Sequence, residues 1–94
     1  MTMLNIGAAH FSMRQYNRAI TVLEKTLVTY PTHPHINGHR LLLAQSYIKK
    51  GDLDGGIKNL RSLFLLNSGY KKIVKTDPIF KSLHDNEDYK KLFE

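Results

Sequence analysis

A self-similarity at a spacing of 37 residues constrains this chain more than any other feature of its sequence. Small residues match small ones and large apolar residues match large ones at this offset: Gly7 with Ala44, Tyr16 with Leu53, Ala19 with Gly56, Ile20 with Ile57, and Leu23 with Leu60. Units of this length bury their apolar faces by stacking on one another. The sequence therefore predicts one structural unit that occurs twice, with close helix crossings at the small residues.

Each unit reads as a pair of helices, because apolar residues recur at spacings of three and four. The pattern predicts a first helix over about residues 2–14 and a second over 16–30, which Pro31 ends. In the second unit, Gly51 separates two further helices and Asn67 follows the last one. We expect an all-α stack of two antiparallel helical hairpins over residues 1–69.

The two units share an ordered set of residues with a known repeat family. The set reads Met3-x2-Ile6-Gly7-x2-His10, Ala19-x3-Leu23 and Pro31 in the first unit, and Arg40-x2-Leu43-Ala44-x2-Tyr47 and Gly56-x3-Leu60 in the second. It resembles the tetratricopeptide repeat (TPR) pattern W-x2-L-G-x2-Y, A-x3-F, P. The resemblance implies two repeats, about 1–33 and 37–69, in an alpha-alpha superhelix. A generic pair of helical hairpins is the alternative.

Several positions depart from the family pattern. Met3 and Arg40 stand at the aromatic position, and Ser68 stands where the closing proline would be. The offset of 37 residues also exceeds the usual length of about 34. Because the small residues at the crossings are kept, these departures leave the predicted fold unchanged.

The C-terminal stretch, residues 70–94, has a pattern of its own. An aromatic-x2-Leu unit begins at Phe80 and again at Tyr89, and residues typical of helix starts precede each one. The pattern predicts two short helices. The Asp77-Pro78 start resembles the D-P-x-F-x-x-L tails of many bacterial repeat arrays, which implies a helical cap over the last repeat.

The composition limits the classes of function. The net charge of +6 suggests that the chain binds nucleic acid or an anionic surface. The basic residues are spread along the chain, however, which favours a solvated basic surface. Cysteine is absent, which excludes disulfides and thiol chemistry. Neither a secretory signal pattern nor an apolar run of bilayer length is present, so we expect no membrane span and a cytoplasmic location.

The residues that could carry chemistry form no catalytic pattern, and we expect no enzyme activity and no cofactor. His33, His35 and His39 are the one metal-like cluster, but no carboxylate or cysteine completes a ligand shell. We interpret them as a polar loop between repeats, with no metal bound. His10 is predicted to be a buried neutral imidazole bonded to a backbone carbonyl.

The family resemblance also implies a binding site, because the first helix of each repeat lines the concave groove in which the family binds peptides. The matching positions here are Leu4, Ala8, Phe11, Leu41, Gln45, Ile48 and Lys49. Chaperone-binding members hold a C-terminal carboxylate with Lys and Asn, where this chain has Leu4 and Ala8. The mostly apolar set instead predicts a partner protein's peptide or amphipathic helix.

Other interpretations of the same pattern stay open. The groove could be filled by the chain's own tail or by a neighbouring chain, which makes self-association one alternative function. A basic adaptor for nucleic acid or an anionic surface is another. Two repeats are fewer than the three or so that such arrays need, so we expect either a longer array or an oligomer.

Overall fold

The computed structural model describes the backbone of residues 3–94 and the side chains of residues 6–94. This part of the chain is helical and contains no strand, as predicted. The helices are α1 (Met3–Ser12), α2 (Tyr16–Thr29), α3 (Ile36–Lys50), α4 (Leu53–Leu66), α5 (Tyr70–Lys75), a 3-10 helix (Pro78–Leu83) and α6 (Glu87–Lys91). Every helix in the described part is too short or too polar to cross a lipid bilayer.

The turns inside the two hairpins have the same backbone hydrogen bonds. In the second turn the N–H groups of Gly51 and Asp52 donate to the carbonyls of Ile48 and Tyr47, at 3.0 and 2.9 Å. The corresponding distances in the first turn are 3.0 and 2.8 Å. Both turns contain a left-handed residue, Gly51 with φ of 97° and Arg14 with φ of 60°. The repeat is thus reproduced in backbone conformation, as helix ends of this kind require.

Small residues lie where the paired helices cross. A Cβ atom on Gly7 would come within 2.7 Å of Cδ2 of Leu23, and one on Gly56 within 2.7 Å of Cγ1 of Ile48. Ala19 is fully buried at the position equivalent to Gly56. The hairpins therefore close tightly at the positions that the repeat pattern predicted.

Two hydrophobic clusters form the core. The smaller one joins the first hairpin to α3 through Ala19, Ile20, Leu23 and Leu43. The larger one joins α3 and α4 to the C-terminal segment, residues 70–94. Its buried members are Ala44, Ile48, Ile57, Leu60, Leu63, Phe64, Val74, Phe80, Leu83, Tyr89 and Leu92. The C-terminal segment is therefore part of the core of the second hairpin.

The C-terminal segment contains three short helices where two were predicted. Asp77 accepts a hydrogen bond from the N–H of Ile79 at 2.9 Å, and Asn86 accepts one from the N–H of Tyr89 at 3.1 Å, so both predicted starts are present. The helix after Pro78 is a 3-10 helix. The additional helix, α5, has Val74 as its one buried residue, which is too weak a pattern to detect in the sequence.

Replacing Ala19 with Leu tests the tight crossing in the first hairpin. The added side chain has no space at a fully buried position, so we expect a loss of about 1–3 kcal/mol in the free energy of unfolding. The control Lys25→Leu adds an apolar side chain at an exposed position of the same helix, and its effect should stay within about 0.5 kcal/mol. Equal urea denaturation curves for the two variants would contradict this packing.

The hydroxyl of Tyr89 gives a second stability test. It is buried without a hydrogen-bond partner among the described residues, and burial together with the charge of Asp77 raises the pKa of the phenol. Tyr89→Phe removes this unpaired group and keeps the ring that stacks on Phe93 at 5.0 Å. We expect a free energy of unfolding equal to the wild type or higher by about 1 kcal/mol, because an unpaired buried group is unfavourable.

Tyr47→Phe is the matched control, since the hydroxyl of Tyr47 donates to Glu24 at 3.2 Å. Loss of that exposed bond should lower the free energy of unfolding by about 0.5 kcal/mol. A larger loss in Tyr89→Phe than in Tyr47→Phe, measured by urea denaturation, would show that the buried hydroxyl is paired.

Candidate functional site

The predicted groove residues occupy equivalent positions on the first helix of each repeat. The pairs at the 37-residue offset are Leu4 and Leu41, Ala8 and Gln45, and Phe11 and Ile48, with Lys49 in addition. The side chain of Leu4 lies outside the described part of the structure. For the others, the structure shows two different environments on α1 and on α3.

On α3 the C-terminal segment lies against part of the predicted face. The side-chain amide of Gln45 donates to Oδ2 of Asp77 at 2.6 Å, which ties the start of the 3-10 helix to this face. Ile48 is 8% exposed and belongs to the same cluster as the fully buried Phe80, and Leu41 packs against that cluster. The second repeat therefore binds a segment of its own chain on the face where the sequence indicated an open groove.

On α1 the equivalent positions are more open. Ala8 is exposed, and Phe11 is half-buried, with its ring edge-on to Tyr16 at 5.5 Å between centroids. Phe11 also packs against the cluster that contains Leu23. Lys49 is exposed at the end of α3. Among the described groove residues, Ala8 and part of Phe11 thus form the accessible apolar surface of the first repeat.

His10 has a different bonding partner from the one predicted. Its ring is half-buried, and Nδ1 lies 2.8 Å from Oε1 of Gln15, so the partner is a side-chain amide and not a backbone carbonyl. Gln15 follows the left-handed residue of the first turn, and from there its side chain reaches back to α1. His10 is therefore engaged within the hairpin.

The histidines between the repeats lie near one another, but among the described residues they do not form a metal site. The rings of His33 and His35 have centroids 5.6 Å apart, and Nδ1 of His33 accepts a hydrogen bond from the N–H of His35 at 3.1 Å. Burial lowers the pKa of His39, and the nearby charges of the other two histidines lower it further. In the described part of the chain, no three His, Asp or Glu side chains are arranged to hold a metal ion.

Comparison with known proteins agrees with the hairpin geometry. Residues 1–33 match the sequence profile of the tetratricopeptide repeat family. No curated protein and no solved structure matches the chain. The matched segment covers α1, α2 and the turn between them, and the hairpin of α3 and α4 reproduces that turn and its crossing 37 residues later. The first hairpin is therefore similar to a tetratricopeptide repeat, and the second hairpin, which the short C-terminal helices close, repeats its geometry.

Proposed function

We propose that this protein is a non-enzymatic interaction module that binds a short amphipathic helix or apolar peptide of a partner protein on α1. Tetratricopeptide repeats mediate protein–protein interaction. The observation that carries the proposal is the occupied face of α3. There, a short helix of the same chain packs its apolar side against the first helix of a repeat.

The bound C-terminal segment indicates the kind of ligand that such a face accepts. Its 3-10 helix contributes Phe80 and Leu83, which are 0% and 1% exposed, and Asp77, the residue before this helix, accepts a hydrogen bond from Gln45. On α1 the position of Gln45 is taken by Ala8, which has no hydrogen-bond donor in its side chain. The ligand of α1 should therefore be held by apolar contacts, without a carboxylate at this position.

The environment of the ionisable groups supports a binding role. Burial raises the pKa of Tyr47, and the charge and hydrogen bond of Glu24 raise it further, which keeps the phenol neutral near pH 7. Asp52 accepts a hydrogen bond from the N–H of Gly55 at 2.9 Å and so caps α4. These groups have structural partners, and none is poised as a nucleophile or base. We also propose a cytoplasmic location, because tetratricopeptide repeat proteins are often cytoplasmic.

Two other functions follow from different occupants of the same surfaces. In the first, the face of α1 receives a second copy of this chain, and the protein is a self-association domain. In the second, the basic surface binds nucleic acid or an anionic membrane. Cross-linking from α1 separates both of these from a partner protein.

Glutamate substitutions on α1 and α3 test whether these two helices differ in burial. Ile48→Glu places a charge in a closed core, and we expect a loss of roughly 3–5 kcal/mol in the free energy of unfolding. Ala8→Glu lies at an exposed position and should change it by less than about 0.5 kcal/mol. Thermal denaturation followed by far-ultraviolet circular dichroism measures both. Equal melting temperatures for the two variants would contradict the burial of Ile48 in the core of the second hairpin.

Site-specific photo-cross-linking tests the proposed site itself. With p-benzoylphenylalanine in place of Ala8, irradiation in native cells should yield a covalent adduct with one other protein. The control places the same group at Ser62, an exposed position of α4. A synthetic peptide of the cross-linked segment should bind the purified wild type, and Ala8→Glu should weaken this binding about tenfold or more, whereas Ser62→Glu should not.

The other results of that experiment also decide between functions. An adduct with a second copy of this chain would establish self-association in place of a partner protein. Equal adducts from positions 8 and 62, or none from position 8, would contradict a binding site on α1.

A further inference from the structure

Four basic side chains from separate parts of the sequence line one open groove of about 520 Å³. Arg14 and Arg18 come from the first turn and the start of α2, and Lys49 and Lys50 come from the end of α3. All four are exposed. Of the described residues that line the groove, none is acidic. The fold thus concentrates positive charge that is dispersed in the sequence.

The charges in this groove have no carboxylate partner among the described residues. The ion pair that the structure contains joins Lys90 to Glu87 at 3.5 Å, in the C-terminal segment. Asp52, the acidic residue that follows Lys50 most closely in the chain, accepts a hydrogen bond from the N–H of Gly55. A concave surface with uncompensated charge of one sign attracts ligands of the opposite sign.

The backbone at Arg14 adds a second observation. Arg14 has φ of 60°, in the left-handed region, at the position where the second repeat has Gly51. Glycine adopts this conformation without the steric penalty that a side chain brings. The first turn therefore holds an arginine where glycine would be less strained, and this arginine lines the groove. Strain of this kind is often retained where a side chain has a function.

We propose that this groove binds an acidic peptide segment of the partner protein, in which two or more Asp or Glu side chains contact the four cations. The guanidinium group of an arginine can pair with a carboxylate through two parallel hydrogen bonds, and the lysine ammonium groups add further positive charge. The proposal rests on the proposed function, because it names the chemistry of the partner. The groove adjoins the face of α1 through the contact between Tyr16, which lines it, and Phe11.

The groove suits a peptide better than a nucleic acid. Single strands bind where exposed aromatic rings stack on bases, but Tyr16 is half-buried, and the edge-on contact with Phe11 engages its ring. Duplexes bind along an extended basic stripe, whereas these four cations surround one short concavity. A run of carboxylates on a peptide matches both the size and the charge of the groove.

Fluorescence anisotropy with the purified chain tests this proposal. The probe is a fluorescein-labelled hexapeptide of alternating Glu and Asp, and the reference peptide has Gln and Asn in their place. We expect the acidic peptide to bind about tenfold more tightly or better at low ionic strength, with affinity falling as salt rises. The double variant Arg18→Ala/Lys49→Ala should weaken binding about tenfold.

The matched control is Lys25→Ala/Lys58→Ala, which removes two exposed charges outside the groove, one from α2 and one from α4. Its affinity should stay within about twofold of the wild type, because distant exposed charges are screened. Equal losses in the two double variants would show a general charge effect and overturn the site. A thymidine hexanucleotide that binds as tightly, with the same dependence on Arg18 and Lys49, would also overturn it.

Arg14→Gly separates the role of the side chain from that of the turn. It should raise the melting temperature by about 3 °C by relieving the left-handed strain, and weaken acidic-peptide binding about threefold. Unchanged peptide affinity would remove Arg14 from the site. These binding assays use no partner protein. If the acidic peptide does not bind the groove, the cross-linking result from position 8 still stands. If no cross-link forms at position 8, the peptide affinities can still be interpreted.

Discussion

Leu60 and Leu63 of α4 share one core with Phe80 and Leu83 of the C-terminal segment, and all four residues are at most 1% exposed. Burying a large apolar side chain contributes roughly 1.5–3 kcal/mol, so these contacts stabilise the second hairpin and hold the C-terminal helices on it. A hairpin of two helices buries one side of each helix and leaves the other to a neighbour. In this chain the C-terminal segment is the neighbour of α3 and α4.

This packing gives the first helices of the two similar repeats different surroundings. The first helices of both repeats have equivalent positions, but Gln45 of α3 is bonded to Asp77 of the C-terminal segment, whereas Ala8 of α1 is exposed. The packing of the C-terminal segment on α3 provides, within one chain, an example of the contact that we propose for α1.

The helices and their crossings could be predicted because they depend on local patterns. The spacing of apolar residues defines helices, and pairs such as Ala19 and Gly56 mark crossings whatever lies outside the hairpin. The location of the C-terminal helices was harder to derive. The sequence predicted that Phe80 begins a short capping helix, but not that this helix would pack on α3, because docking depends on a contact between Gln45 and Asp77, 32 residues apart.

The basic groove is a second feature that could not be predicted from the sequence. Arg14, Arg18 and Lys49 belong to different helices or turns, and counting charge along the chain averages them with their neighbours. Their proximity arises from the packing of α2 on α3, which a charge pattern does not contain. The bond of His10 to Gln15 was missed for a related reason, since the left-handed backbone at Arg14 directs the chain back on itself.

Native-state hydrogen exchange tests most directly whether the C-terminal segment belongs to the core of the second repeat. The N–H groups of Phe80 and Tyr89 are bonded within the C-terminal segment, to the carbonyl of Asp77 and to the side chain of Asn86. If the segment is part of that core, these amides should open with the same free energy and denaturant dependence as the amides of Leu60 and Leu63. Exchange of Phe80 and Tyr89 through a much smaller opening, with α4 still protected, would contradict this account.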